Sequence, residues 1–179
     1  TLGAQERVKC FDANTGAPLW QYAYPCLYRI DYPSGPRATP TVDGDRVYAL
    51  GAMGELTCLN VQTGRVVWQK NYVRDFGTQM NAWGMAAAPL VDGEKLIVVV
   101  GGHPDAAVVA LNKETGEELW RSLEVEDPGY CVPSIIQAGG TRQLIVWLPD
   151  ALHSLDPETG RPFWRQEFAI RFGMTIATP

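Results

Sequence analysis

Apolar residues come in short runs along this chain, separated by turns of Gly, Asp, Asn and Pro. Arg7-Val-Lys-Cys-Phe11 alternates apolar and polar, the mark of a strand with one covered face. Three other runs are almost continuously apolar: Arg46-Val-Tyr-Ala-Leu50, Lys95-Leu-Ile-Val-Val-Val100 and Gln143-Leu-Ile-Val-Trp147. Runs of this kind suit strands covered on both faces. Asp43-Gly44, Asp92-Gly93, Gly101-Gly102 and Gly139-Gly140 fall after or between such runs and read as hairpin turns. They precede no helix, so they are not phosphate loops. No segment of ten or more residues shows the 3.6-residue period of a helix, which excludes a helical repeat.

The strand pattern is organised by one frame that occurs four times. Cys10 to Trp20 reads C-F-D-A-N-T-G-A-P-L-W, and Cys58 to Trp68 reads C-L-N-V-Q-T-G-R-V-V-W. Ala110 to Trp120 and Ser154 to Trp164 follow the same order of small residue, apolar residue, Asp or Asn, Thr-Gly, then Trp. The glycines Gly16, Gly64, Gly116 and Gly160 are spaced by 48, 52 and 44 residues, a period that signals a repeat architecture. Each Thr-Gly closes a type I turn, with Gly taking the positive φ of a bulged hairpin. Pro157 after Asp156 supports the turn, because Pro presets φ there and would break a central strand.

Laid on this frame, each unit has four strands joined by three hairpins. Units span 38–70, 87–121 and 131–166, with a partial unit at 1–24 and the opening of another at 177–179. The expected fold is all-β: a β-propeller segment of four-stranded antiparallel blades. A β-sandwich is the alternative, but it does not explain one motif recurring in phase.

The frame resembles the repeat of the pyrroloquinoline-quinone-type propellers, a superfamily holding quinoprotein alcohol dehydrogenases and an outer-membrane assembly lipoprotein. All four copies match at Thr-Gly and at Trp20, Trp68, Trp120 and Trp164; the acidic position is Asp12 and Asp156 but Asn60 and Asn112 in the middle copies. The resemblance implies a ring of seven or eight blades. It also implies that the four Trp, with Gly16, Gly64, Gly116 and Gly160, are blade-docking residues, the large ring closing the gap between sheets. It implies a periplasmic or otherwise extracytoplasmic location, which the chain ends do not reveal. The quinone enzymes of the family use adjacent cysteines and a Ca²⁺ beside a catalytic Asp. No Cys-Cys pair occurs here, so no catalytic residue, cofactor or metal is assigned.

Composition narrows the partners. Fifteen basic against twenty acidic residues give a net charge of −5 with no Lys/Arg run, against a nucleic-acid groove or an anionic membrane surface. No apolar stretch approaches the ~20 residues of a membrane span. Cys10 and Cys58 fill the slot of Ala110 and Ser154, and Cys131 that of Ala38, Ala87 and Ala177, so these read as small core residues rather than disulfide partners. Cys26 lies outside the frame. His103 and His153 are separated in sequence and offer little to zinc. His153 and Ser154 are neighbours on a strand and so point to opposite faces, which rules out a dyad. Asp43, Asp45, Glu126 and Asp127 sit in turns, where solvated charge is expected.

The blades repeat but the connections between them do not, and variable loops on a regular scaffold are where function sits. They run 31–37, 79–85, 126–130 and 170–174, and contribute Arg37, Trp83, Tyr130 and Arg171 as candidate ligand- or partner-binding groups. Arg forks onto a carboxylate, and Trp or Tyr offers a flat face; the competing reading is that these four pack under the loops or face water. The expected function is a non-catalytic binding or scaffold module, its partner a protein or the remaining blades of a longer chain. The alternative is a fragment of a quinone-dependent dehydrogenase acting on alcohols or sugars, with the quinone and Ca²⁺ as cofactors. Open blade edges also predict self-association.

Overall fold

The computed structural model describes residues 5–30, 35–168 and 170–179, without the side chain of Arg171. β1 (Gln5–Phe11) and β2 (Pro18–Pro25) form a two-stranded sheet. β3 (Thr41–Asp43), β4 (Arg46–Leu50), β5 (Glu55–Asn60) and β6 (Val66–Asn71) form a four-stranded sheet in chain order. β7 (Leu90–Asp92), β8 (Lys95–Gly102), β9 (Ala106–Asn112) and β10 (Glu118–Ser122) repeat it. So do β11 (Ser134–Ala138), β12 (Thr141–Trp147), β13 (Ala151–Leu155) and β14 (Pro162–Glu167). All neighbours in these sheets are antiparallel. The chain is a β-propeller segment, its sheets serving as blades.

The continuous apolar runs are explained by two cores, one on each face of the β7–β10 blade. Leu96, Val98 and Leu111 pack with Tyr48, Leu56 and Trp68 of the preceding blade. Ile97, Val99 and Val108 pack with Leu144, Val146 and Leu155 of the following one. Successive residues of a strand point to opposite faces, so a strand sandwiched between blades must be apolar at every position. Each such side chain stabilises the fold by about 1.5–3 kcal/mol through burial. A carboxylate at Val98 would break the seam, leaving a charge buried with no partner.

The four-fold frame forms one local structure. Asp12 Oδ1 accepts the Asn14 and Thr15 backbone N–H groups at 3.0 and 2.8 Å, and the Thr15 hydroxyl at 2.8 Å. Asn60 Oδ1 does the same for Gln62 and Thr63. Asn112 and Asp156 hold the third and fourth turns. Only an acceptor oxygen is required, which is why Asp and Asn interchange. The four glycines follow at φ between 66° and 73°. Each closing hairpin shifts register next to the small residue, which places Trp directly opposite it: Cys10 faces Trp20, Cys58 Trp68, Ala110 Trp120 and Ser154 Trp164. The small side chain makes room for the ring.

One short element adds to this pattern, and one local expectation is corrected. A short helix, α1 (Tyr72–Phe76), lies in the connection after β6. Asn71 caps it, its Oδ1 accepting the Arg74 N–H at 2.9 Å, and Gly77 ends it at φ 70°. Five residues are too few to display a helical period. Gly101 and Gly102 belong to β8 rather than to a turn. A Cβ at Gly101 would sit 2.6 Å from Pro128, and one at Gly102 2.3 Å from the Phe76 carbonyl, so close packing excludes side chains there. β2 runs to Pro25, one residue beyond the partial unit expected at 1–24.

Candidate functional site

Trp20, Trp68 and Trp120 lie at the seams between sheets. A Cβ on Gly64 would fall 2.5 Å from the Trp20 ring, one on Gly116 2.8 Å from Trp68, and one on Gly160 2.5 Å from Trp120. Each ring is laid flat against the Thr-Gly turn of the next sheet, so Gly serves there both for its φ and for its missing Cβ. The Trp20 indole N–H donates to the Val61 carbonyl at 2.8 Å and that of Trp68 to Lys113 at 2.9 Å. That of Trp120 is buried without a hydrogen-bond partner. Trp68 and Trp120 are 9% exposed and Trp164 41%.

Charges reinforce the same seams. Lys113 Nζ donates to Asp43 at 2.9 Å, Arg46 pairs with Glu114 at 2.7 Å, and Lys95 with Glu158 at 2.8 Å. Asp43 and Asp45 keep exposed carboxylates, as expected of turn charges, and each also takes part in an ion pair, Asp45 with the adjacent Arg46.

The non-repeating connections bring two of the four candidate loop residues, Trp83 and Tyr130, together. The Trp83 and Tyr130 rings stand 5.9 Å apart at 57°. The Arg37 guanidinium acts electrostatically on the Tyr130 hydroxyl, and its Nη1 donates to the Gly35 carbonyl at 2.7 Å. All three are half-buried. The backbone fixes them. Gly84, at φ 75°, lies so close to Ala52 that a Cβ would come within 2.6 Å of its carbonyl, and Met85 N–H donates to that oxygen at 2.9 Å. On the other side, Tyr130 N–H donates to the Thr175 carbonyl at 3.1 Å and hydroxyl at 3.2 Å. Asp127 bridges the loops, accepting Asn81 Nδ2 at 3.3 Å and Gly129 N–H at 2.9 Å. Burial pushes the Tyr130 phenol up to about 12, with Asp127 adding to the rise and Arg37 opposing it. The phenol is neutral at ordinary pH, and its hydroxyl is buried with no hydrogen-bond partner. Residues 31–34 and the Arg171 side chain lie outside the described residues; the Arg171 backbone forms a 3₁₀ turn with Phe172 and Gly173.

Sequence reasoning missed a second cluster. Glu6, only 3% exposed, accepts the Tyr28 hydroxyl at 2.6 Å, the Tyr24 hydroxyl, and the Ala52 N–H at 3.0 Å. It ties the first hairpin to the next blade, and Gly51 leaves the space: a Cβ there would meet Glu6 at 2.0 Å. The available signal was an acid on a strand where the second and third copies of the frame carry Gly54 and Ala106.

The four cysteines are free, with Cys26, Cys58 and Cys131 buried and Cys10 half-buried. Among the described residues no group of three His, Cys, Asp or Glu side chains is placed to hold a metal ion. No helix among them is long and apolar enough to cross a membrane.

The profile of the family described as outer membrane protein assembly factor BamB matches residues 4–167. The chain belongs to this family. Among curated relatives, BamB of Marinobacter adhaerens is 31% identical over 139 residues, covering 78% of this chain and 30% of that protein. The quinoprotein alcohol dehydrogenase PedH of Pseudomonas putida is 34% identical over 134 residues, covering 69% of this chain and 21% of the dehydrogenase. The chain thus spans less than a third of either relative. The crystal structure of BamB from Moraxella catarrhalis superposes with a TM-score of 0.65 at 25% identity, over 91% of this chain and 44% of that one. BamB-like repeats therefore occur in both assembly factors and dehydrogenases, and membership of the family fixes the scaffold without fixing the activity.

Proposed function

We propose that this BamB-like segment is a non-catalytic, extracytoplasmic binding module that engages a protein partner through its inter-blade loops. The observation that carries this reading is the packing of Trp83 against Tyr130, with Arg37 on a neighbouring connection acting electrostatically on the phenol. These are the residue types that dominate protein–protein hot spots, because each combines large contact area with a polar end and few rotors. They come from three successive connections that a rigid blade scaffold holds in place. The site gathers aromatic faces and a cation rather than paired carboxylates or a nucleophile with its base, so it is built to bind rather than to turn over a substrate.

In-cell photo-crosslinking tests this. A photoreactive phenylalanine analogue at Trp83 or Tyr130 is expected to trap one discrete envelope protein, while the same probe at Leu119 on the outer face of β10 traps none. Crosslinks that arise equally at Leu119, or at no loop position, overturn the proposal. The second reading, part of a quinone-dependent dehydrogenase, is supported by the identity with PedH. It predicts saturable micromolar quinone binding in the presence of Ca²⁺.

A further inference from the structure

A cleft of about 700 Å³ opens where the connections after β8, β10, β12 and β14 meet. That size is ordinary for a binding site. Its wall is one-sided in charge: Glu124, Glu126, Asp127 and Asp150 line it with His103, and no Lys or Arg does. Two of these carboxylates are already answered, Glu124 by His103 Nδ1 at 2.6 Å and Asp150 by Arg165 at 3.0 Å. The other two are not. Asp127, half-buried, is held only by the neutral donors Asn81 and Gly129. Glu126 is exposed, and no hydrogen bond or ion pair joins it to the described residues.

Buried polar atoms beside the wall show what is lacking. His153 is 6% exposed, and its Nε2 stands 3.5 Å from Asp150 Oδ1 with no hydrogen-bond partner. Asn81 donates its Nδ2 to Asp127, while its own Oδ1 is buried and accepts nothing. Orphaned buried polar atoms are uncommon in folded proteins, and each calls for a partner. Carboxylates and an amide oxygen here outnumber the donors around them. A divalent ion is a poor match, since no three ligating side chains converge among the described residues.

We propose that this cleft receives an arginine side chain of a protein partner, its guanidinium bound by Glu126 and Asp127. A guanidinium carries five N–H donors in a planar fork and no acceptor, the complement of a wall dominated by acceptors. It is less strongly hydrated than an ammonium, so it gives up water more readily at a half-buried carboxylate. The cleft is continuous with the aromatic pair. Asn81 and Trp83 share one connection, Asp127 and Tyr130 the next, and both pairs are in contact. The inference therefore rests on the reading of these loops as a protein interface, and adds the charge that the partner must carry.

The test is fluorescence anisotropy at low salt with a labelled pentapeptide of alternating glycine and arginine, and with its lysine counterpart. Glu126→Gln removes one charge from the cleft. Glu94→Gln removes one from the β7–β8 turn, where the side chain is 80% exposed, and so gives a control of equal net charge. Circular dichroism checks the fold of both. The arginine peptide is expected to saturate the parent and Glu94→Gln alike, and to bind Glu126→Gln about fivefold more weakly, as for one partly exposed charge contact. The lysine peptide is expected to bind the parent at least about fivefold more weakly than the arginine peptide. Absence of saturable binding overturns the proposal. So does equal weakening by both variants, which means diffuse attraction to an acidic chain, or equal affinity for the two peptides, which means recognition of charge alone. Crosslinking from Trp83 separates this inference from the reading beneath it. Glu126→Lys is expected to abolish the partner trapped there. A crosslink at parental yield in Glu126→Lys overturns the arginine cleft and leaves the loop interface standing. Peptide binding in a chain whose Trp83 traps no protein supports the cleft and overturns the loop reading instead.

Discussion

Removal of Trp68 measures how much a single seam contributes. The ring is 9% exposed, lies against Gly116, stands 6.1 Å from the Tyr48 ring, and donates its indole N–H to Lys113 at 2.9 Å. Trp68→Ala therefore loses transfer energy, leaves a cavity between two sheets and strands a carbonyl, about 3–5 kcal/mol in all. For a chain of this size each kcal/mol shifts the midpoint by about 2–4 °C, so the loss is roughly 6–20 °C. Trp164→Ala provides the internal control. Its ring is 41% exposed, with no turn among the described residues against it, so about 1–2 kcal/mol is expected. Thermal melts by circular dichroism at low micromolar concentration compare the two directly. Equal losses at both positions, or a Trp68→Ala melt indistinguishable from the parent, would refute the claim that the rings act by docking on the next sheet.

Other consequences follow from the same geometry. Gly116→Ala places a Cβ 2.8 Å from Trp68 at φ 73°, so left-handed strain and overpacking together cost about 2–5 kcal/mol in urea denaturation. Gly16→Ala incurs only the strain, about 1–2 kcal/mol. His153 is 6% exposed and burial holds its pKa below the ordinary 6.5, with Asp150 only partly opposing this. The folded state favours neutral imidazole, so stability is fully present above about pH 6.5 and falls as pH drops below it; His153→Gln should flatten that limb in pH-dependent melts. Burial pushes the Cys58 thiol up to about 12 and Cys26 to about 11, so iodoacetamide on the native chain should label Cys10 first and these two only after unfolding.

What the sequence revealed is what depends on neighbours close in the chain. Asp12, Thr15 and Gly16 bond within one turn, so their pattern announces the structure wherever it recurs. The unbroken apolar run of β8 shows in the same way that both its faces are covered. What depended on distant partners was hidden. That Cys58 and Ala110 are small because a Trp lies across the strand, and that Gly116 is bare because Trp68 comes from another sheet, required the register. Helix α1 was too short to show periodicity and is announced only by its Asn71 cap. Nothing close in the chain marks Glu6, whose partners Tyr24, Tyr28 and Ala52 lie 18, 22 and 46 residues away. The candidate site fell between these cases: Arg37, Trp83 and Tyr130 were visible as unusual loop residues, but the contact of Trp83 with Tyr130 across two connections was not.

The loops as the binding surface and the frame as the wall make one central claim. It is tested most directly by titrating the crosslinked partner, once purified, against the parent, Trp83→Ala, Tyr130→Ala and Trp164→Ala in a calorimeter, with melts run on the same samples. The account predicts at least about tenfold weaker binding, or 1.4 kcal/mol, for each loop variant with its melting point unchanged, and parental affinity for Trp164→Ala. Parental affinity in both loop variants, with binding lost instead in Trp164→Ala, would contradict it.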